Sequence, residues 1–146
     1  MRLLEIIICI SILAILLAVI TGSLGGLRAH NALLGSTETV LHALSTARAD
    51  TVASRGGKQY GVHFASTTVT IFPGAVWDPT SASSTVFNLV PGVVVSTLAL
   101  ENGGRDIVFQ RLTGKTSQYG TVSLGIRDET STIRVQSTGS ISSELR

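Results

Sequence analysis

The sequence predicts an α+β protein, in which a long N-terminal helix packs on a C-terminal antiparallel β-sheet domain. The first half of that helix is predicted to span a membrane and the second half to be amphipathic. Three observations predict this fold class. No charged residue occurs between Ile6 and Leu27, a run of 22 residues. Apolar residues then recur at helical spacing. After Lys58 the apolar period falls to two, which is typical of strands.

The chain of 146 residues has the length of one domain with an appendage. We predict three segments: a transmembrane or filament-core helix at 1–27, the amphipathic half of the long helix at 28–57, and an antiparallel β domain at 58–146. Of the 20 charged residues, 18 lie after residue 27. The mean hydropathy of the chain is therefore an average over two unlike parts, an apolar N-terminal rod and an ordinary water-soluble remainder.

The apolar run is long enough, as a helix, to cross a bilayer. At a rise of 1.5 Å per residue it would extend roughly 33 Å. A cleavable signal peptide is the first alternative, but it would have a shorter apolar region preceded by positive charge. Glu5 stands where that charge is expected, and Leu24-Gly25-Gly26 is a poor cleavage site. The sequence therefore favours a membrane-spanning helix.

Glycines interrupt the helix near the end of the apolar run. Each glycine costs a helix interior roughly 1 kcal/mol relative to alanine. We therefore predict a weak point, where the helix could bend or unwind, at Gly22, Gly25 and Gly26. The alternative is an ordinary linker between a membrane helix and a domain.

An apolar stripe defines the second half of the helix. Its members are Leu33, Val40, Leu44 and Ala47, and Leu34 and Leu41 widen it. Glycines in Arg55-Gly56-Gly57 supply the stop signal. We expect this stripe to pack on the domain that follows.

The β domain is predicted from alternating residues separated by turn signals. A second uncharged run, from Pro79 to Leu100, is not a membrane span, because Ser and Thr crowd its start and Pro91-Gly92 breaks it. The predicted strands are a hairpin over 60–71, two strands at 85–90 and 93–100, three more at 106–111, 121–127 and 132–136, and a short last strand after Gly139.

The N-terminal residues resemble those of type IV pilins and pseudopilins. Leu3-Leu4-Glu5-Ile6-Ile7 opens an isoleucine- and leucine-rich helix, and the family's mature pattern is Phe-Thr-Leu-x-Glu. Leu3 and Glu5 match, whereas Met1 and Arg2 replace Phe and Thr. The resemblance implies N-terminal processing and methylation at Met1. It also implies an assembly role for Glu5, whose carboxylate would pair with the N-terminal amine of a neighbouring subunit.

Later segments resemble the H-type branch of the family, GspH/FimT. Leu44-Ser45-Thr46-Ala47-Arg48 and the residues up to Gly56 follow a Leu-x-x-Ala-Arg-x-x-Ala-x-x-Arg-Gly pattern. The segment 107–141 is similar to the strand, Gly turn and Ile-x-Val-x-x-x-Gly-x-Ile ending of that branch. The resemblance implies a structural minor pilin or pseudopilin of a type IV pilus or type II secretion pseudopilus, assembling through its hydrophobic N-terminal helix.

That resemblance also implies a location and a set of partners. The protein would be a single-pass inner-membrane protein with its C-terminal domain outside the cytoplasm, and would then join the pilus or pseudopilus. Its partners would be other pilin subunits in a helical filament, the prepilin peptidase, the inner-membrane assembly platform, and the lipid bilayer before assembly.

Two other functions stay open at this point. The first is a DNA-contacting minor pilin for natural transformation. A net charge of +2 is too weak to predict nucleic-acid binding by itself. Candidate DNA contacts on the later strands and turns are Arg105, Arg111, Lys115, Arg127 and Arg134. The second is an unrelated membrane-anchored β domain that binds some ligand.

We find no pattern typical of an enzyme, a metal site or a cofactor site. His30, His42 and His63 are the only histidines, and no acidic residue stands at metal-motif spacing to them. We expect them to be surface or partly buried packing residues. No Gly-x-Ser-x-Gly elbow occurs. Cys9 is the only cysteine, so an intramolecular disulfide is excluded.

Overall fold

The computed structural model of the chain describes the backbone of residues 2–145 and the side chains of 3–18 and 26–145. One α-helix, α1 (Arg2–Val52), precedes a short 3₁₀ turn at Arg55–Gly57. Eight strands follow: β1 (Tyr60–Phe64), β2 (Thr68–Pro73), β3 (Thr85–Asn88), β4 (Val94–Leu100), β5 (Asp106–Val108), β6 (Gly120–Ile126), β7 (Glu129–Val135) and β8 (Ile141–Leu145).

The strands form two four-stranded sheets, and every strand pair is antiparallel. The first sheet has the order β3-β2-β1-β5 and the second has the order β4-β6-β7-β8. Strands β4 and β5 therefore belong to different sheets, although they are consecutive in the chain.

The core lies between the second half of α1 and both sheets. Helix residues Leu33, Val40 and Leu44 are fully buried. They pack in one cluster with side chains from both sheets, among them Phe64 from the first and Leu124 from the second. Such burial stabilises the fold by roughly 1.5–3 kcal/mol for each large side chain. The helix therefore joins the two sheets into one domain.

The prediction of a single β-sheet packed on the helix is wrong. The uncharged run after Pro79 contains a turn that sends the chain from one sheet to the other. Gly92 adopts a φ of +94°, and the Val93 amide donates to the Val90 carbonyl at 3.0 Å. Beyond this turn β4 pairs with β6 and not with β3. Alternation within each strand could not show this, because pairing partners are set by turns and by distant segments.

The prediction of a membrane-spanning first half is also wrong, and so is the predicted location as a single-pass inner-membrane protein. Among the residues that the structure describes, no helix is sufficiently long and apolar to cross a membrane.

The predictions for the second half of the helix and for the strands are largely confirmed. Leu33, Val40, Leu44 and Ala47 are fully buried. Leu34, in contrast, is 39% exposed, and Ser36 is buried in the interior. The Ser36 hydroxyl accepts a hydrogen bond from the Val90 amide at 3.0 Å, which holds the turn between the sheets against the helix. Each predicted strand has an observed counterpart, with ends that differ by a few residues.

Candidate functional site

The first candidate site is the apolar arm, which we define as residues 3–18 of α1. Every one of these residues is exposed. Eleven leucine and isoleucine side chains, from Leu3 to Leu17, are each between 49 and 74% exposed. A soluble monomer rarely exposes a contiguous apolar patch larger than a few hundred Å². The arm is therefore a surface that is suited to association.

The only polar uncharged side chain of the arm is satisfied within the helix. The Ser11 hydroxyl donates to the Ile7 carbonyl, one turn earlier, at 2.7 Å. Such a bond removes the hydroxyl's need for water or another partner. It makes the arm more apolar in effect than its composition indicates.

Glu5 is the single charged residue of the arm. Its side chain is exposed near the N-terminal end of the helix, where a negative charge is favoured by the helix dipole. No ion pair involving Glu5 occurs among the described residues. A carboxylate on an otherwise apolar surface is costly to bury without a positive partner.

The predicted weak point falls mostly outside the described side chains. Gly22 and Gly25 lie outside them, and so does Met1, the predicted processing and methylation site. Gly26 is exposed, and a β-carbon placed on it would meet no other atom within 4 Å. Packing therefore does not require glycine at position 26.

The structure does not bring the five candidate DNA-contacting residues into one patch. Arg127 lies in the turn between β6 and β7, next to Arg28 of the helix. Arg134 lies near the other end of β7, beside Tyr119. Five residues of β7, from Glu129 to Ile133, lie between the turn that holds Arg127 and Arg134, which places the two arginines about 20 Å apart.

The remaining three candidate contacts are also dispersed. Arg105 lines a different hollow, with Ser96 of β4. Arg111 donates from its Nε to the Ser54 hydroxyl at 3.0 Å, beyond the end of α1. Lys115 is exposed in the loop before β6. These cations do not form the continuous basic stripe that a phosphate backbone requires.

A histidine–aspartate pair lies on the first sheet and was not predicted. His63 Nδ1 lies 2.5 Å from Asp106 Oδ1, across the β1–β5 pairing. The His63 ring stacks on Trp77, with centroids 4.5 Å apart. Among the described residues Asp106 is the only hydrogen-bond partner of this ring.

The other histidines also have identifiable contacts. His30 Nδ1 lies 3.0 Å from Glu129 Oε2, joining α1 to the start of β7. His42 is exposed, and its ring meets Phe87 edge-on. No group of three or more metal-ligating side chains occurs in the part of the chain for which side chains are described.

The second candidate site is a cleft between the last turns of α1 and the start of β8. We call it the arginine cleft, and it has a volume of about 690 Å³. Arg48 lines it, together with Val52 and Ala49 of the helix and with Ile141 of β8. The cleft brings together residues that lie about ninety positions apart, and the sequence pattern around Arg48 gave no sign of a concave surface.

Comparison with known proteins gives no match: no family model, no curated protein and no solved structure is significantly similar to this chain.

Proposed function

We propose that this protein is a structural subunit of a filament, a minor pilin or pseudopilin, whose apolar arm packs against the arms of neighbouring subunits. The observation that carries the proposal is the exposure of leucine and isoleucine all around residues 3–18. Burying one such side chain stabilises an assembly by roughly 1.5–3 kcal/mol. Several arms packed side by side can therefore offset the entropy lost on association.

The division of the chain into two parts supports the same proposal. Residues 29–47 of α1 supply the buried stripe of the β domain, whereas residues 3–18 supply none of its core. The domain is thus packed without the arm. The arm is a continuation of the same helix that is suited to contact other molecules.

Glu5 gives the proposed packing a register. A positive group of a neighbouring subunit would have to meet this carboxylate once the arms are buried, and the N-terminal amine is the partner that we propose. Opposite charges about 4 Å apart attract by roughly 4 kcal/mol at an effective dielectric of 20. Desolvation offsets much of this attraction. The pair would therefore determine alignment more than net stability.

Cross-linking through Cys9 tests the proposal. This cysteine is the only one in the chain, and it is exposed on the arm. Axes of packed helices lie roughly 8–10 Å apart. A bismaleimide somewhat longer than this spacing should link arms of neighbouring subunits when the full-length protein is assembled. We expect a covalent dimer, which is the largest species that one thiol per subunit allows, together with filaments of uniform diameter in electron micrographs.

A matched variant moves the thiol to the β domain. Cys9→Ser combined with Ser83→Cys places one exposed cysteine in the β2–β3 connection. We expect this variant to label with monomaleimide but to give few cross-links. Equal cross-linking of both proteins, with only amorphous particles in micrographs, would indicate unspecific aggregation and contradict the proposal.

A further inference from the structure

The arginine cleft holds a positive charge that no described residue neutralises. Arg48 Nε is buried and has no hydrogen-bond partner among the described residues. The nearest acidic residue in sequence, Asp50, is paired with Arg55 at 3.3 Å. A partly buried guanidinium without a partner costs stability. Because Arg48 lines the cleft, a negatively charged ligand bound there would supply the missing charge.

Two glycine turns fix the position of the arginine. Gly114 and Gly139 adopt φ angles of +65° and +80°. A β-carbon at Gly139 would lie 2.8 Å from Arg48 Nε, and one at Gly114 would lie 3.1 Å from the same atom. The main chain therefore closes on the arginine stem from both turns. A guanidinium held in this way loses little further freedom when it binds a ligand.

The remaining lining of the cleft combines apolar surface with hydroxyl groups. Val52 and Ile141 are its larger apolar residues, and Ser45, Thr113 and Ser140 carry hydroxyls. Its volume of about 690 Å³ lies within the range of roughly 300–1,000 Å³ that is usual for small-ligand sites. The cleft thus provides space for an apolar body beside a single cation.

We propose that the arginine cleft binds an organic carboxylate with an apolar body, whose carboxylate pairs with Arg48 and whose body packs on Val52 and Ile141. A guanidinium matches a carboxylate in geometry and in charge. A phosphate dianion would remain half neutralised, because Arg48 is the only cation among the described residues that line the cleft. The ligand is either a free organic acid or the C-terminal carboxylate of a peptide. This site is independent of the apolar arm and of the filament proposal.

Nuclear magnetic resonance titration of the full-length, isotope-labelled protein in a non-ionic detergent tests this proposal. The probes are N-acetyl-leucine and N-acetyl-leucinamide, which share an apolar body and differ in the carboxylate. We expect saturable shifts of the Thr113 and Ser140 amide resonances with the acid. The amide should bind about tenfold to a hundredfold more weakly. Equal binding of the two probes, or no binding of the acid at millimolar concentration, would overturn the proposal.

Two variants locate the effect at the arginine. Arg48→Met keeps most of the side-chain length, removes the charge, and should weaken binding of the acid about tenfold or more. Ser45→Glu places a carboxylate one helical turn before Arg48, where it can pair with the guanidinium and compete with the ligand. This second variant keeps Arg48 and its packing, so it remains informative if Arg48→Met does not fold. Unchanged affinity in Ser45→Glu would contradict the proposal.

A control and a second pair of probes complete the test. Ser83→Glu adds the same charge outside the cleft and should leave the affinity unchanged.

Isocaproate represents a free acid, and an acetylated tripeptide ending in leucine represents a peptide C terminus. Tighter binding of the tripeptide than of isocaproate would identify the peptide as the ligand class, and the reverse order would identify the free acid.

Discussion

The buried hydroxyl of Thr51 accepts a hydrogen bond from the main-chain amide of Tyr60, at an oxygen–nitrogen distance of 2.8 Å. The same hydroxyl lies 2.7 Å from the Ala47 carbonyl, to which it donates. One side chain thus ties the last turn of α1 to the first residue of β1. The junction between helix and sheet depends on this hydroxyl, because the two elements are separated by the exposed glycine turn at Arg55–Gly57.

Thr51→Val should therefore destabilise the domain. The substitution keeps the shape of the side chain but leaves the partly buried Tyr60 amide without its acceptor, which costs about 1–3 kcal/mol. Urea unfolding of the full-length protein measures the change. Thr39→Val is the matched control, because the Thr39 hydroxyl bonds only to the Gly35 carbonyl of its own helix. Equal loss of stability in both variants would show that Thr51 does not join the two elements.

Gly139→Ala should destabilise the domain more than Gly103→Ala. Both glycines have a positive φ, +80° and +62° respectively, so both variants carry backbone strain of roughly 1 kcal/mol. At Gly139 the new methyl would also lie against the Gly114 carbonyl, whereas at Gly103 it would meet nothing within 4 Å. Melting temperatures of the two variants measure the difference. A similar decrease in the melting temperature of both variants would show that the turns at Gly114 and Gly139 can move apart without loss of stability.

The acid titration of Asp78 should depend on Thr80. Hydrogen bonds from the Thr80 hydroxyl and then from its amide hold the pKa of Asp78 below its ordinary value. Because the folded pKa is lowered, the stabilising contribution is present above the unfolded pKa and is lost as pH falls through the folded value. Thr80→Ala should raise the pKa of Asp78, as followed by carboxyl carbon resonances. Thr85→Ala, which changes an exposed threonine, should leave the pKa of Asp78 unchanged.

Glu5→Gln should reduce incorporation into filaments while leaving the amount of folded protein unchanged. The amide keeps the shape of the side chain but cannot attract a positive partner. Recovery of the variant in pelleted filaments, relative to its total amount in the cell, measures incorporation. Glu38→Gln removes an exposed charge from the domain part of α1 and serves as the control. Wild-type incorporation of Glu5→Gln would show that the carboxylate has no partner in the filament.

Duplex DNA should bind only in the non-specific range, with a Kd of about 10⁻⁴–10⁻⁶ M at physiological salt. Arg127 and Arg134 lie about 20 Å apart, so they do not form one dense basic patch. A gel-shift titration measures the affinity. Nanomolar binding that is lost in the Arg127→Ala, Arg134→Ala double variant would instead support the DNA-contacting function.

Local features of this fold could be predicted from the sequence, because they depend on neighbouring residues. The buried stripe at Leu33, Val40 and Leu44 follows from helical spacing, and the strands follow from alternation between turn signals. The division into two sheets could not be predicted, because it depends on which distant strand β4 meets beyond Gly92.

The two candidate sites also differ in whether they could be predicted from the sequence. The exposed apolar arm was visible as a charge-free run, although its predicted role as a membrane span was wrong. The arginine cleft could not be predicted from the sequence, because Arg48 meets Gly139 only where the turn between β7 and β8 reaches the helix. Likewise, the contact of His63 with Asp106 joins residues 43 positions apart.

The interleaving of β4 and β5 has a consequence for the order of folding during synthesis. All four strands of the first sheet have left the ribosome once residue 108 has emerged, so this sheet can close on α1 early. Strand β4 emerges before that point but pairs with no other strand until β6, which begins at residue 120. We therefore expect β4 to remain unpaired with any other strand until β6 has been made. The second sheet is then completed last.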